Sequence, residues 1–173
     1  MSVVARPHRI LVSACLLGQP VRYDGRSGRP QDRALALLHR WQEQGCLVPI
    51  CPEVAGGLPI PRPAAEILGP GGAAVWRGEA SLHTQDADAP DPTEQFKRGA
   101  ELALALAQRE GCRYALLTER SPSCGSRQIY DGSFSRQLRA GEGVTTALLR
   151  AHGIEVFPPE AIEELARRLG ERA

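Results

Sequence analysis

One arrangement constrains this chain more than any other: a helical stretch ends at a glycine, and a short, almost wholly apolar run follows directly. It occurs at residues 32–44, Gly45 and 46–50; at 93–110, Gly111 and 112–118; and at 144–152, Gly153 and 154–157. Glycine takes the left-handed conformation that ends a helix without the clash a Cβ would cause. Runs that are apolar at nearly every position, rather than every second one, suit strands covered on both faces. Residues 9–14 supply a further run of this kind ahead of the first helix. Strands alternating with helices predict parallel βαβ units and an α/β sandwich.

The remaining segments are less regular. Within 93–110, Phe96, Ala100, Ala103, Leu104 and Ala107 share one helical face, and Thr93 is placed to cap its start. A last helix is expected over 159–170, with Pro159 at its start and Ile162, Leu165 and Leu169 on one face. Prolines at 59–63 and glycines at 69–72 break any periodicity, and 86–92 reads as a solvated loop. Residues 52–92 are therefore expected to form an irregular excursion, and long loops in compact domains are often functional. The length of 173 residues predicts a single domain, 1–173, with its core at about 9–165.

Composition narrows the function classes. The net charge is +1, so no global field draws in nucleic acid, and aromatics are only 5%. All but one of the 21 basic residues are arginine, the exception being Lys97; Arg22, Arg26, Arg29 and Arg33 keep an RNA substrate open as an alternative. The apolar stretch 10–17 is far short of the roughly 20 residues that span a bilayer. No apolar segment of signal type follows Arg6 and His8, so a cytoplasmic location and no membrane partner are expected. Five cysteines cannot all pair within one chain, and in a reducing compartment they serve as buried, catalytic or metal-binding thiols.

Position on the expected strands sorts these cysteines. Cys46 and Cys112 each follow a helix-ending glycine and begin a strand, so they are expected to be small buried hydrophobes at the amino edge of the sheet. Cys15, Cys51 and Cys124 follow strands and project from the carboxyl edge, where open parallel sheets bind ligands. Their separations are too large for a zinc-knuckle or C-x-x-C motif, so spacing alone leaves structural thiols open. Each of the three heads a loop of bending glycines or prolines with a few polar groups. Gly18, Pro20, Arg22, Tyr23, Asp24 and Gly25 follow Cys15. Glu53, Gly56, Gly57 and Arg62 follow Cys51. Ser121, Ser123, Gly125 and Asp131 surround Cys124. Gly141–Val144 opens a helix whose first N–H groups are expected to face an anion or a carbonyl oxygen. His8, His39, His83 and His152 are scattered without ligand spacing.

Taken together, three sets of runs resemble the thiouracil desulfurase family. They are Ser13-Ala14-Cys15-Leu16-Leu17-Gly18 with Val21-Arg22-Tyr23-Asp24-Gly25; Cys51-Pro52-Glu53 with Gly56-Gly57-Leu58 and Pro61-Arg62; and Ser121-Pro122-Ser123-Cys124-Gly125 with Ile129-Tyr130-Asp131-Gly132. Gly141-x-Gly143-Val144-Thr145 and Gly153-Ile154-x-Val156 fit its C-terminal pattern, so the resemblance covers about residues 9–165. The chain departs from the family where lysine often precedes the Ser-Pro-Ser-Cys motif: it reads Thr118-Glu119-Arg120.

The resemblance implies a Rossmann-like three-layer sandwich with a [4Fe–4S] cluster at the carboxyl edge of the strands, held by Cys15, Cys51 and Cys124. Three ligands leave a fourth iron open for a thiocarbonyl sulfur. The implied reaction converts a thiolated pyrimidine of 2-thiouracil type to uracil and hydrogen sulfide, without net electron transfer. Glu53 is expected to activate water and Ser121 to relay a proton, with Ser123 an equally able hydroxyl beside it. Tyr23, Asp24, Arg62 and Ser123 are the expected substrate contacts, and Arg62 with Asp24 equally fits a structural ion pair. The substrate is expected to be a small thiolated nucleobase rather than nucleic acid. A non-catalytic iron–sulfur or zinc scaffold, and a desulfurase of thiolated nucleosides or tRNA, are the alternatives.

Overall fold

A computed structural model describes residues 7–28, 30 and 32–171. Residues 1–6 and Arg29, which entered the reading of the N-terminus and of the basic stretch, lie outside the described residues. The chain runs β1 (Ile10–Ser13), a 3₁₀ turn (Ala14–Leu17), α1 (Asp32–Glu43), β2 (Leu47–Ile50), α2 (Pro52–Ala55), β3 (Ala65–Leu68), α3 (Gly72–Trp76), β4 (Ser81–Thr84) and α4 (Thr93–Glu110). It continues with β5 (Tyr114–Leu116), β6 (Gln128–Tyr130), β7 (Leu138–Ala140), α5 (Val144–Ala151), β8 (Glu155–Phe157), a second 3₁₀ turn (Pro159–Ala161) and α6 (Ile162–Arg168).

The central sheet has the order β2-β1-β5-β8, and all its strand pairs are parallel. Ile10, Leu11 and Val12 of β1 face Leu47, Val48 and Pro49 on one side and Tyr114, Ala115 and Leu116 on the other. Strand alternation splits the core into two layers. Ile10, Val12 and Leu116 pack with Leu38 and Trp41 of α1 and Leu165 of α6. Leu11, Ala115 and Val156 pack with Ala103 and Ala107 of α4 and Leu149 of α5. The result is the expected three-layer α/β sandwich. Central β1 is buried at every residue, whereas β2 lies at the edge and leaves Pro49 exposed. Proline is tolerated there because an edge strand has N–H groups with no ladder partner. Gly45, Gly111 and Gly153 all carry the left-handed φ, at 68°, 69° and 78°.

Two expectations change. Residues 52–92 are not irregular: β3 and β4 pair antiparallel, Ala65 opposite Thr84 through Leu68 opposite Ser81, with α3 between them. Ile67, Val75 and Leu82 of this unit bury against Phe96 and Ala100 of α4, Ile129 and Val144. Thr93 does not cap α4 with its own hydroxyl. Its Oγ accepts the Leu82 N–H at 3.0 Å and donates to Asp91, whose carboxylate also takes the Thr93 N–H at 2.8 Å. The hydroxyl thus ties β4 to the helix start, and Asp91 serves the exposed donor there. Among the described residues no helix is long and apolar enough to cross a membrane.

Candidate functional site

The strand order places the ends of β2, β1 and β5 side by side, at the reversal between β1 and β5 where such sheets bind ligands. Cys15 lies in the 3₁₀ turn directly after β1, Cys51 directly after β2 and ahead of α2, and Cys124 in the loop after β5. Cys15 and Cys124 are buried and Cys51 is half-buried. Burial pushes the Cys124 thiol far above its usual range, and Glu53, Cys51 and Cys15 push it further. Burial also raises Cys15, with Cys51 adding to it and Arg22 opposing. It raises Cys51 as well, where a Val54 N–H and Arg62 oppose and Glu53 adds. Thiols that raise one another in this way share one space.

Each thiol sits on a loop fixed by backbone contacts. The Cys15 carbonyl accepts N–H groups from Gly28 at 2.9 Å and Gly18 at 3.2 Å. A Cβ on Gly28 would lie 3.2 Å from the Cys15 sulfur, so the glycine lets its loop close over the thiol. The Cys51 thiol donates to the Val21 carbonyl at 3.7 Å, which links the first loop to the second. Behind Cys51, α2 presses on α4 at two glycines. A Cβ on Gly56 would sit 2.0 Å from the Gln95 carbonyl oxygen, and one on Gly99 1.9 Å from that of Pro52.

The Cys124 loop is held from three directions. Ser121 Oγ accepts the N–H groups of Ser123 at 3.0 Å and Cys124 at 3.1 Å. The N–H groups of Gly143, Val144 and Thr145 donate to the carbonyls of Gly125, Pro122 and Ser123 at 2.8, 2.8 and 2.9 Å. The first donors of α5 thus clamp the cysteine loop and do not face an anion. The expectation that Gly141–Val144 offers N–H groups to a ligand is therefore corrected: Gly141, Gly143 and Val144 donate theirs to the carbonyls of Arg127, Gly125 and Pro122. The Thr146 hydroxyl donates to the Cys124 carbonyl at 2.9 Å. Sequence reasoning missed the third holder, Glu119. Its carboxylate accepts N–H groups from Ser126 at 2.8 Å, Arg127 at 3.2 Å and Gln128 at 3.3 Å, and the Ser126 hydroxyl at 3.1 Å. Nothing local marks Glu119 for this role, because the donors it serves lie seven to nine residues ahead of it.

Glu53 and Ser121 meet beside the thiols. Ser121 Oγ donates to Glu53 Oε1 at 3.2 Å, and Arg62 holds Glu53 Oε2 through Nε at 2.7 Å and Nη2 at 2.6 Å. Arg62 therefore pairs with Glu53 and not with Asp24, which correct the ion pair considered from sequence: the Asp24 carboxylate accepts the Arg26 N–H in its own turn at 3.0 Å. Tyr23 is 42% exposed. Arg62 and Ser123 lie deeper, at 8% and 0% exposure. The Ser123 hydroxyl is bonded to Thr145 Oγ1 at 2.8 Å. Asp131 accepts the Ser133 N–H at 2.9 Å and so closes a turn of its own.

Cys46 and Cys112 are at the opposite edge, as expected, each 6% exposed within the aliphatic core. His39 is exposed on α1 and His152 at the end of α5. Among the described residues no group of three or more His, Cys, Asp or Glu is spaced to hold a single metal ion. Three converging thiols that form no single-ion site suit a multi-iron cluster, where each thiolate binds a different iron. Their chemistry fits as well: buried thiols that raise one another ionise together only beside a cationic centre. A separate cleft of about 350 Å³, lined by Pro70, Gly72, Arg77, Ser126 and Arg150 among others, includes no cysteine.

The sequence pattern of 2-thiouracil desulfurases matches residues 10–161. This chain belongs to the 2-thiouracil desulfurase family. A relative of this desulfurase-family chain is the uncharacterized protein YbbK of Bacillus subtilis (strain 168). It is 38% identical over 156 residues, spanning 90% of this chain and 99% of YbbK. Among solved structures, the [4Fe-4S]-dependent thiouracil desulfidase TudS matches with a TM-score of 0.83 at 49% identity, over 94% of this chain and 98% of that one. The α/β fold with a mostly parallel sheet is common to both.

Proposed function

We propose that this chain, acting as one domain over 1–173, removes sulfur from a thiolated pyrimidine base of 2-thiouracil type. Cys15, Cys51 and Cys124 hold a [4Fe–4S] cluster in this reading. The observation that carries it is the convergence of three loop-heading thiols with the Glu53–Ser121 pair against them. The name of TudS, a [4Fe-4S]-dependent thiouracil desulfidase, supports it. A cluster bound by three thiolates supplies one iron with no protein ligand, a soft Lewis acid toward a thiocarbonyl sulfur.

The remaining work falls to the chain. Glu53 Oε1 takes a proton from the water that attacks the thiocarbonyl carbon. The Ser121 hydroxyl, already donating to that oxygen, delivers its proton toward the departing sulfur and is reprotonated from Glu53; a second passage through the same pair carries the remaining proton of the attacking water to sulfur as the carbonyl forms. Two backbone N–H groups on Ser121 Oγ hold the relay in place. The thiocarbonyl and water become a carbonyl and hydrogen sulfide, and no electrons are exchanged. General acid–base catalysis of this kind contributes about 10²–10⁴-fold. Tyr23 and Asp24, on the exposed turn after Cys15, receive the base, while Arg62 and Ser123 act from behind the pair. The balanced charge favours a free, neutral base over a polyanion, and the cytoplasm is the proposed location.

The test is direct. Protein loaded anaerobically with iron and sulfide is incubated with 2-thiouracil, and uracil and sulfide are measured. Stoichiometric release over many turnovers is expected. A loaded protein that carries its cluster and releases neither product overturns the reading.

A further inference from the structure

We infer that Arg62 is a positioning residue: by occupying one carboxylate oxygen of Glu53 it leaves Oε1 as the atom that accepts the proton. The inference deepens the desulfurase reading and rests on it. It begins from how completely the guanidinium is used. Nε donates to Glu53 Oε2 at 2.7 Å, and Nη2 lies 2.6 Å from the same oxygen in an ion-pair contact. Nη1 donates to the Pro59 carbonyl and Nη2 to the Val21 carbonyl, each at 3.1 Å. A guanidinium has five N–H donors; three are used in these hydrogen bonds, and the ion-pair contact occupies the same end of the group. The side chain is 4% exposed. Little is left, and none of it near solvent, with which to read a substrate.

The consequences fall on Glu53. A carboxylate held by a single hydrogen bond can turn about its last torsion and exchange its two oxygens. A charge-assisted hydrogen bond and a second guanidinium nitrogen in ion-pair contact, both on Oε2, remove that freedom. The other oxygen then faces Ser121 and nothing else that the structure records. Arg62 also joins the loops that carry the thiols. Its own N–H donates to the Tyr23 carbonyl at 2.8 Å, and it shares the Val21 carbonyl with the Cys51 thiol. Lysine cannot take its place, because an ammonium is a point charge without the planar fork.

The experiment uses the loaded full chain with 2-thiouracil and compares Arg62→Lys, Arg62→Gln, Glu53→Gln and Arg62→Lys combined with Glu53→Gln. Iron and sulfide per chain and the visible absorption are read beside the kinetics. Arg62→Lys is expected to lower kcat by about tenfold or more with KM within about twofold, the mark of an interaction expressed in the transition state. Iron content stays at the wild-type level. In the Glu53→Gln background the same substitution changes kcat by less than about twofold, because residues acting as one unit are not additive. A raised KM with kcat intact would make Arg62 a substrate contact and overturn the inference. So would equal losses in both backgrounds, or loss of fold or iron in both Arg62→Lys and Arg62→Gln. A loaded wild type without turnover removes the desulfurase reading itself, whereas an active wild type with additive losses removes the positioning role alone.

Discussion

Cysteine stands at both edges of the parallel sheet, and the edges treat it in opposite ways. At the amino edge Cys46 and Cys112 begin strands and disappear into aliphatic packing. At the carboxyl edge Cys15, Cys51 and Cys124 face one another and Glu53. The glycines serve two purposes. Gly45, Gly111 and Gly153 carry positive φ, and a Cβ on any of them would meet nothing within 4 Å. Gly99 and Gly143 instead press against backbone, where a Cβ would lie 1.9 Å from Pro52 O and 2.3 Å from Ser123 O. The amino edge uses glycine to turn the chain; the carboxyl edge does so too, at Gly18 and Gly25 with φ of 89° and 75°, and also uses glycine to bring distant segments into contact. Residue type is therefore a poor guide to role, and the end of the strand on which a residue falls is a good one.

The largest effects should separate the two cysteine groups. Cys15→Ala, Cys51→Ala and Cys124→Ala are each expected to abolish sulfide release from 2-thiouracil and cut bound iron. Cys46→Ala and Cys112→Ala should retain full iron and turnover, at a cost of about 1 kcal/mol in stability. Iron analysis and denaturant titration of all five variants break the comparison if the groups overlap. Next comes Glu53→Gln, which sharpens the carboxyl edge into seat and chemistry: kcat should fall by about 10²–10⁴-fold while iron remains. Assay and iron analysis on one preparation check both halves.

The glycine contrast follows. Gly99→Ala drives a Cβ into the Pro52 carbonyl, so α2 must shift and carry Cys51 with it. A loss of about 3 kcal/mol or more, with reduced iron uptake, is expected. Gly153→Ala has open space and suffers only its φ of 78°, which costs about 1–2 kcal/mol and leaves iron unchanged. Equal iron in the two variants would erase the distinction. The smallest effect is a slope. Burial holds the Cys112 thiol up at about 11, against 9.0 ordinarily. The folded state then keeps a proton that the unfolded chain releases, so this contribution is complete below pH 9 and is lost as pH rises to about 11. Urea midpoints of metal-free protein should fall less steeply over that interval in Cys112→Ala than in wild type.

Much of this was legible in the sequence because the signals are local. A helix, its terminal glycine and the next apolar run lie within one stretch of chain, so α1–β2, α4–β5 and α5–β8 could be placed and the cysteines sorted by strand end. The parts that were not legible depend on distant partners. β3 and β4 are four residues each among prolines and glycines, and the buried Glu66 interrupts the apolar pattern of β3. Its reason lies elsewhere in the chain, where it accepts the N–H groups of Gly132 at 3.0 Å and Phe134 at 3.2 Å. Glu119 is the same case: its carboxylate organises a loop that lies ahead of it. Arg62 was visible as a candidate, but its choice of Glu53, nine residues back in the same connection, over Asp24 depends on how that connection folds against the loop after β1, where Arg62 also meets the Val21 and Tyr23 carbonyls.

The turn that carries Tyr23 and Asp24 is built mostly from its own atoms. Gly25 donates to the Arg22 carbonyl at 2.9 Å, Arg22 to that of Arg26 at 3.1 Å, and Arg26 to the Asp24 carboxylate at 3.0 Å. The seat of the thiols leans on α4, α5 and Glu119, none of which belongs to that turn. The turn's ties to Cys51 and Arg62 run through the backbone carbonyls of Val21 and Tyr23, so the side chains of Tyr23 and Asp24 can be exchanged with those ties left in place.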